Sequence, residues 1–394
     1  ATLASEIDPD APTTVGIVTF TIDKSALTAA HIEFGLDTEY GTNAPVDLDL
    51  DDHRTLLLGM KPETTYHFRV VASDASATYQ SDDFTIETGA PTTLVSIESF
   101  DVANETARER GFIMASYWQG QGLSVPFILD ADGDIVWWAP GGPNGIARAR
   151  MSADGKNMWM ISASNQGAPL QRVSMDGLDA QTYSMVIGSH DITAVEGETM
   201  AFLEYGESDC DSIYEIDPSG TTREVFESQS VVSGSGCHGN AVRYSQAEDL
   251  YSFSDVSTDI FVVNREGAVE WRLSERVTGG NQAWGGVQHG HQLLEDSILI
   301  FANRGAGSME SSAIEYSLEG EELLNFSSGA YSANLGDVQR LPGGNTLVTF
   351  SNDSIIEEID PQKNVVLRID GGGSRIGYAL WTESLYDPAP DTHE

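Results

Sequence analysis

Apolar and polar positions alternate through roughly the first ninety residues, at Val15 to Thr21, His31 to Phe34, Tyr66 to Ala72 and Asp83 to Thr88, with turn residues between. Alternation with a period of two makes a strand with one buried face, and short strands at this spacing predict an antiparallel β-sandwich. We place its boundary at Gly89-Ala90-Pro91, so residues 1–90 form the first domain.

From residue 95 a different unit recurs: a strand, a tight turn, and a second strand rich in Val, Trp, Leu or Phe. Its turns centre on Gly133, Gly177, Gly220, Gly267, Gly320 and Lys363, at steps of 44, 43, 47, 53 and 43 residues. A second hairpin precedes each later copy, as at Asn157 to Ser162, Thr199 to Tyr205, Leu250 to Ser254, Ser297 to Asn303 and Asn345 to Ser351. Two hairpins per period make the four strands of one propeller blade. The fold class expected is therefore all-β: a sandwich, then a six-bladed β-propeller over residues 95–388, closed by Gly111 to Trp118 and Ala379 to Tyr386. Five or seven blades stay open, because the first and last repeats are irregular. Asp130, Asp132 and Asp134 resemble a calcium loop. They sit where every other blade has its turn, and a plain hairpin is expected.

Charge narrows the partners. The chain of 394 residues carries 61 acidic and 20 basic side chains, a formal charge of −41. Without a basic patch, nucleic acid and anionic membrane are poor partners. So acidic and lysine-poor a surface suits concentrated salt, which screens self-repulsion, and a marine or halotolerant bacterial source is expected. No apolar run approaches the length that spans a bilayer. The start at Ala1 suits a mature secreted or periplasmic product, or a trimmed chain. The two cysteines, Cys210 and Cys237, make at most one bridge, and free buried thiols are the alternative.

Candidate chemistry gathers on histidines. His190 and His289 each stand seven residues before the turn of a blade's first hairpin, and His238 holds a similar place in a longer hairpin. First strands line the channel of a propeller, so these imidazoles are expected to converge at one mouth. His289 and His291 differ by two and are expected on one face. Converging imidazoles suit a nucleophile with a general acid–base partner, or a metal site of His190, His238 and His289 holding zinc, manganese, copper or calcium. Trp284 is a candidate stacking surface for an aromatic substrate, or else a packing residue.

Two resemblances refine this. The run Leu57 to Val70, with Pro62-Glu63-Thr64-Thr65-Tyr66, resembles the end of a fibronectin type III domain. Over residues 125–386, Asp132-Gly133-Asp134-Ile135-Val136-Trp137, His190-Asp191-Ile192, His238-Gly239-Asn240-Ala241-Val242, Gln288-His289-Gly290-His291-Gln292 and Val338 to Leu347 resemble the arylsulfate sulfotransferase family. Those six-bladed propellers move a sulfuryl group between phenols and need no cofactor. The resemblance implies that His289 becomes sulfated, that His238 and Asn240 assist proton transfer and oxygen binding, and that His190 completes an anion-binding ring. It also implies a small aromatic or anionic substrate. Where the family carries an arginine, after the His-x-Asn element, this chain has Asp255, leaving Arg304 or Arg243 to replace it. Asp255 equally favours the alternative, a metal-dependent lyase or hydrolase on the same histidines. A noncatalytic ligand-binding propeller is the third reading. The sequence leaves the oligomeric state open.

Overall fold

The structure, a computed structural model, describes residues 2–8, 12–22, 27–50, 52–119, 123–141, 145–164, 167–205, 210–232, 237–256, 258–303, 310–373 and 375–388. By internal contacts the chain resolves into two compact units. One comprises Ala1–Thr93, Phe127–Ala139 and Val173–Ala180, and the other Leu94–Pro126, Pro140–Arg172 and Gln181–Glu394.

The alternating N-terminal pattern makes two antiparallel sheets. Thr2–Glu6, Gly16–Thr21 and Thr55–Leu57 form one, and Leu27–Gly35, Thr42–Pro45, Thr65–Asp74, Thr78–Gln80 and Phe84–Glu87 form the other. Inward positions of both, including Val18, Ile32, Phe34, Leu57 and Phe68, are fully buried. Tyr66 is the second residue of its strand, and its hydroxyl accepts the Lys61 backbone N–H at 2.9 Å.

Also within this first unit, the Asp130 side chain caps the hairpin turn through the N–H groups of Asp132 and Asp134, both at 2.9 Å. The cation among these carboxylates belongs to the protein. Lys61 Nζ lies 2.8, 3.0 and 2.5 Å from Asp130, Asp132 and Asp134. Burial depresses the ammonium pKa, but hydrogen bonds to the three carboxylates outweigh it and raise the pKa. Lys61→Met is expected to cost about 1–2 kcal/mol, because three mutually repelling acids lose their counterion. High salt should recover part of that loss; chemical denaturation at low and at molar salt measures both.

Six blades follow. The first closes the ring: Arg375–Ile376 and Leu380–Thr382, from the far end of the chain, pair with Phe112–Gln119, beyond which lie Leu123–Leu129 and Ile135–Trp138. Blades two and three run Ile146–Met151, Asn157–Ser162, Ala168–Ser174, Ala180–Glu196, Thr199–Tyr205, Asp211–Ile216 and Thr222–Glu227. The 17-residue strand Ala180–Glu196 ends the second blade and begins the third. Blade four is Gly239–Ser245 to Val269–Arg272 and blade five Gln288–Leu293 to Glu322–Phe326. Blade six, Asp337–Arg340 to Val365–Asp370, gains Ser99–Val102 as a fifth, outermost strand. The second strands, such as Asn157–Ser162, Ser297–Ala302 and Thr346–Phe350, are buried throughout. Covered on both faces, they read as continuous apolar runs rather than alternating ones.

Innermost strands share one irregularity. Pairing with the second strand slips between Ile146 and Arg148, Gly188 and Ile192, Gly239 and Ala241, and Gln288 and His291. Four consecutive blades thus begin with a bulge, whereas Asp337–Arg340 in blade six pairs in unbroken register. A bulge leaves a residue outside the ladder and re-aims its side chain. His190, Asn240 and His289 lie in those slips.

Candidate active site

The bulged ends bring His190, His238, Asn240 and His289 to one cavity of about 520 Å³, together with Trp118, Asn334 and Arg375. His190 takes a left-handed backbone conformation, φ 63°, inside its slip, which bends the strand. Such a conformation is costly for a residue with a side chain. Its ring meets that of His238 edge to face, centroids 4.5 Å apart, and its Nδ1 bonds the Ser189 hydroxyl.

His289 is held by an amide. Asn303 donates from Nδ2 to the carbonyls of Ser332 and Leu335, at 2.8 and 2.7 Å, so its Oδ1 is an acceptor 2.6 Å from His289 Nδ1. The proton of the neutral ring therefore sits on Nδ1, and Nε2 keeps its lone pair. The Asn240 amide donates to the Gln288 carbonyl at 3.0 Å, which leaves Asn240 Oδ1 buried without a donor. Gln288 in turn donates to the Asp255 carbonyl at 2.6 Å, tying blade five to blade four.

Burial keeps the imidazoles neutral. It is the largest cause in each: His190 falls well below its ordinary value, with repulsion from His238 and His289 adding to the effect. His238 is lowered by burial against the attraction of Asp255. His289 is pushed down to about 4 and His291 to about 3. A histidine with a depressed folded pKa gives stability that is complete above its unfolded value near 6.5 and lost as pH falls toward the folded value. For His289 and His291 that window runs from about 6.5 down to 4 and 3. Their ring resonances should stay in the neutral form at pH 5.5 in an NMR titration, well below the ordinary midpoint near 6.5.

Four sequence expectations need correction. His291 is not in the cavity: the slip after Gln288 breaks the period of two, and His291 is fully buried with Nε2 2.7 Å from the Ser252 hydroxyl. Trp284 is a packing residue, fully buried with its Nε1 donating to the Gln288 side chain at 3.0 Å. Arg243 lies in a buried ion network rather than against the cavity. Asp191 accepts from Arg148 and Arg243, and Asp337 accepts from the same two guanidiniums at 2.6 and 2.7 Å. Asp255 does not line the cavity either; its carboxylate accepts the His238 backbone N–H at 2.7 Å and the Thr258 hydroxyl at 2.6 Å. The fourth member of the sequence-derived metal set is thus spent on the backbone. Among the described residues no group of three or more His, Cys, Asp or Glu side chains is arranged to hold a metal ion. Arg304 lies outside the described residues.

Several partners were not legible as site residues. Arg375, exposed, stands 5.6 Å over the Trp118 ring at the cavity wall. Asn303 lies just beyond its strand, and Asp211 faces His238 Nδ1 at 3.6 Å. Cys210 and Cys237 are joined as a disulfide, with Cα atoms 4.9 Å apart.

No family model matches the chain, and no curated protein matches it. Among solved structures it is similar to TolB from Acinetobacter baumannii, with a TM-score of 0.53 and 11% identity over 82% of this chain and 80% of that one. Weaker likenesses are to the Nidogen/Laminin complex, TM-score 0.49 and 12% identity over 69% and 97%, and to virginiamycin B lyase from Staphylococcus aureus, TM-score 0.45 and 12% identity over 72% and 99%. At this identity the likeness concerns fold alone: the chain is an all-β protein whose propeller architecture is shared with TolB.

Proposed function

We propose that the protein transfers a sulfuryl group between phenolic compounds through His289. The observation that carries this reading is the amide clamp on that ring: Asn303 fixes the proton on Nδ1, burial keeps the ring neutral, and Nε2 remains as the nucleophile. In the first half-reaction Nε2 attacks the sulfur of an aryl sulfate, an N–S bond forms, and the S–O bond to the aryl oxygen breaks with its electron pair leaving as phenolate. His238 gives that oxygen the proton on its Nε2 and takes another on Nδ1, so the ring stays neutral. In the second half an acceptor phenol attacks the sulfur, the N–S bond breaks, and the acceptor's proton returns to His238.

The surroundings support an anionic aromatic ligand. Arg375 supplies the positive charge that the family's motif places elsewhere, held over the Trp118 ring at the cavity wall. Asn240 Oδ1, a buried acceptor without a donor, suits a phenolic O–H. The carboxylate of Asp255, which the sequence set against a sulfate ester, is turned to the His238 backbone instead. Residues 1–90 we read as a fibronectin type III-like module, and the chain as a secreted or periplasmic one whose reaction needs no cofactor. The test is exchange from 4-nitrophenyl sulfate to phenol in chelator-treated buffer, with mass spectrometry of the His289 peptide after donor alone. Phenyl sulfate and a sulfo-histidine are expected; absence of both overturns the reading.

A further inference from the structure

Asp211 has no place in any motif, yet it is built into the site. Cys210, immediately before it, is bonded to Cys237, immediately before His238. The disulfide thus joins the chain neighbours of an acid and a histidine that belong to different blades. Asp211 Oδ2 accepts the Gly239 N–H at 2.8 Å and stands 3.6 Å from His238 Nδ1, while Oδ1 is buried with no partner. Gly239 permits the approach: a Cβ there would meet Phe253 at 2.7 Å and Asp211 at 3.0 Å.

We propose that Asp211 is a positioning residue that shares a proton with His238 Nδ1, and that the Cys210–Cys237 disulfide holds the pair together. A buried carboxylate with one oxygen lacking a donor is costly as an anion, and a proton on Oδ2 lowers that cost by neutralising the group. The carboxyl is accordingly raised to about 7, by burial first, with repulsion from Asp255 adding and the Gly239 N–H opposing. The other groups facing His238 are His190, edge-on, and His289 and Arg375 across the cavity. Both histidines are neutral, so Asp211 is the proton store of the site.

Rested on the transfer reading, the pair completes its proton balance. The leaving phenolate takes the proton from His238 Nε2 as Asp211 passes its own to Nδ1, so the carboxyl ends ionised and the ring ends as the other tautomer. The acceptor phenol reverses both moves. A gap of 3.6 Å is slightly long for a hydrogen bond, as is common before substrate closes a site.

The pair is tested without turnover, so its failure is separable from that of sulfuryl transfer. In the full-length protein, NMR of 15N-labelled histidine and 13C-carboxyl aspartate should show Asp211 titrating near neutrality, with the His238 ring nitrogens moving at the same pH. An Asp211 carboxyl ionised from about pH 5 upward, or His238 nitrogens indifferent to it, overturns the proposal even if no variant folds. Asp211→Asn should abolish that coupled titration and lower kcat about tenfold to a hundredfold at unchanged KM, with Asp211→Glu recovering part. In the Cys210→Ser, Cys237→Ser protein the two titrations should separate; if they stay coupled, the clamp is overturned.

Discussion

His289→Ala is expected to lower kcat for sulfate exchange by at least about a thousandfold, because it removes the atom that carries the transferred group. Among the described cavity residues His190 comes nearest, a buried ring whose Nδ1 is bonded to Ser189, but it lacks the amide clamp and its backbone is bent, and His238 faces an acid. The truncation leaves Asn303 Oδ1 without its donor, a cost of about 1–3 kcal/mol that the six-bladed fold should survive. Circular dichroism and a melt therefore accompany the assay. Arg375→Ala is the contrast: it should raise KM for the aryl sulfate, because the cation meets the sulfate before and during reaction alike. Exchange persisting in His289→Ala at more than about a tenth of the wild-type rate would remove His289 as the nucleophile and leave its clamp by Asn303 unexplained.

The two halves of this cavity were unequally legible. Repeat spacing located His190, His238 and His289 because the period of the turns fixes which strand of a blade each occupies. It misplaced His291, because a bulge changes which way a side chain points without changing the residue count that a period is read from. Arg304 and Arg243 were the cations the sequence offered; Arg304 lies outside the described residues, Arg243 is in the buried ion network, and a cation at the cavity wall is Arg375, at the other end of the chain. Ring closure, which pairs Arg375–Ile376 with Phe112–Gln119, delivers it. Asn303 and Asp211 carry no local signature; they matter through what they face across blades. Alternation is plainest in the first half of Thr65–Asp74, buried at Tyr66, Phe68 and Val70, whereas Gly16–Thr21 begins with three buried residues in succession. The same acidity that spoke for salt hid the few carboxylates with work to do, among them Asp191 and Asp337.

Those two acids carry the largest expected effect on stability. Arg148 in blade two, Asp191 in blade three, Arg243 in blade four and Asp337 in blade six form a neutral quartet, each side chain at most 4% exposed. Asp191 also accepts the N–H groups of Val242 and Ile192, at 3.0 and 2.9 Å, and the Arg148 guanidinium lies 4.7 Å over the Tyr378 ring. Gly290 of blade five approaches so closely that a Cβ would sit 1.9 Å from Asp337 Oδ1. Asp337→Ala leaves two buried guanidiniums facing one carboxylate. Removing one partner of a buried ion pair costs about 3–5 kcal/mol, and the upper part of that range is expected here, because one acid serves two arginines. His291, held neutral by burial and then by Arg243, adds no further positive charge. Asp337→Asn keeps the shape and one acceptor and should cost less. Urea unfolding of the three proteins separates the cases: a loss in Asp337→Ala below about 1 kcal/mol would mean that the quartet contributes no more than an exposed pair does.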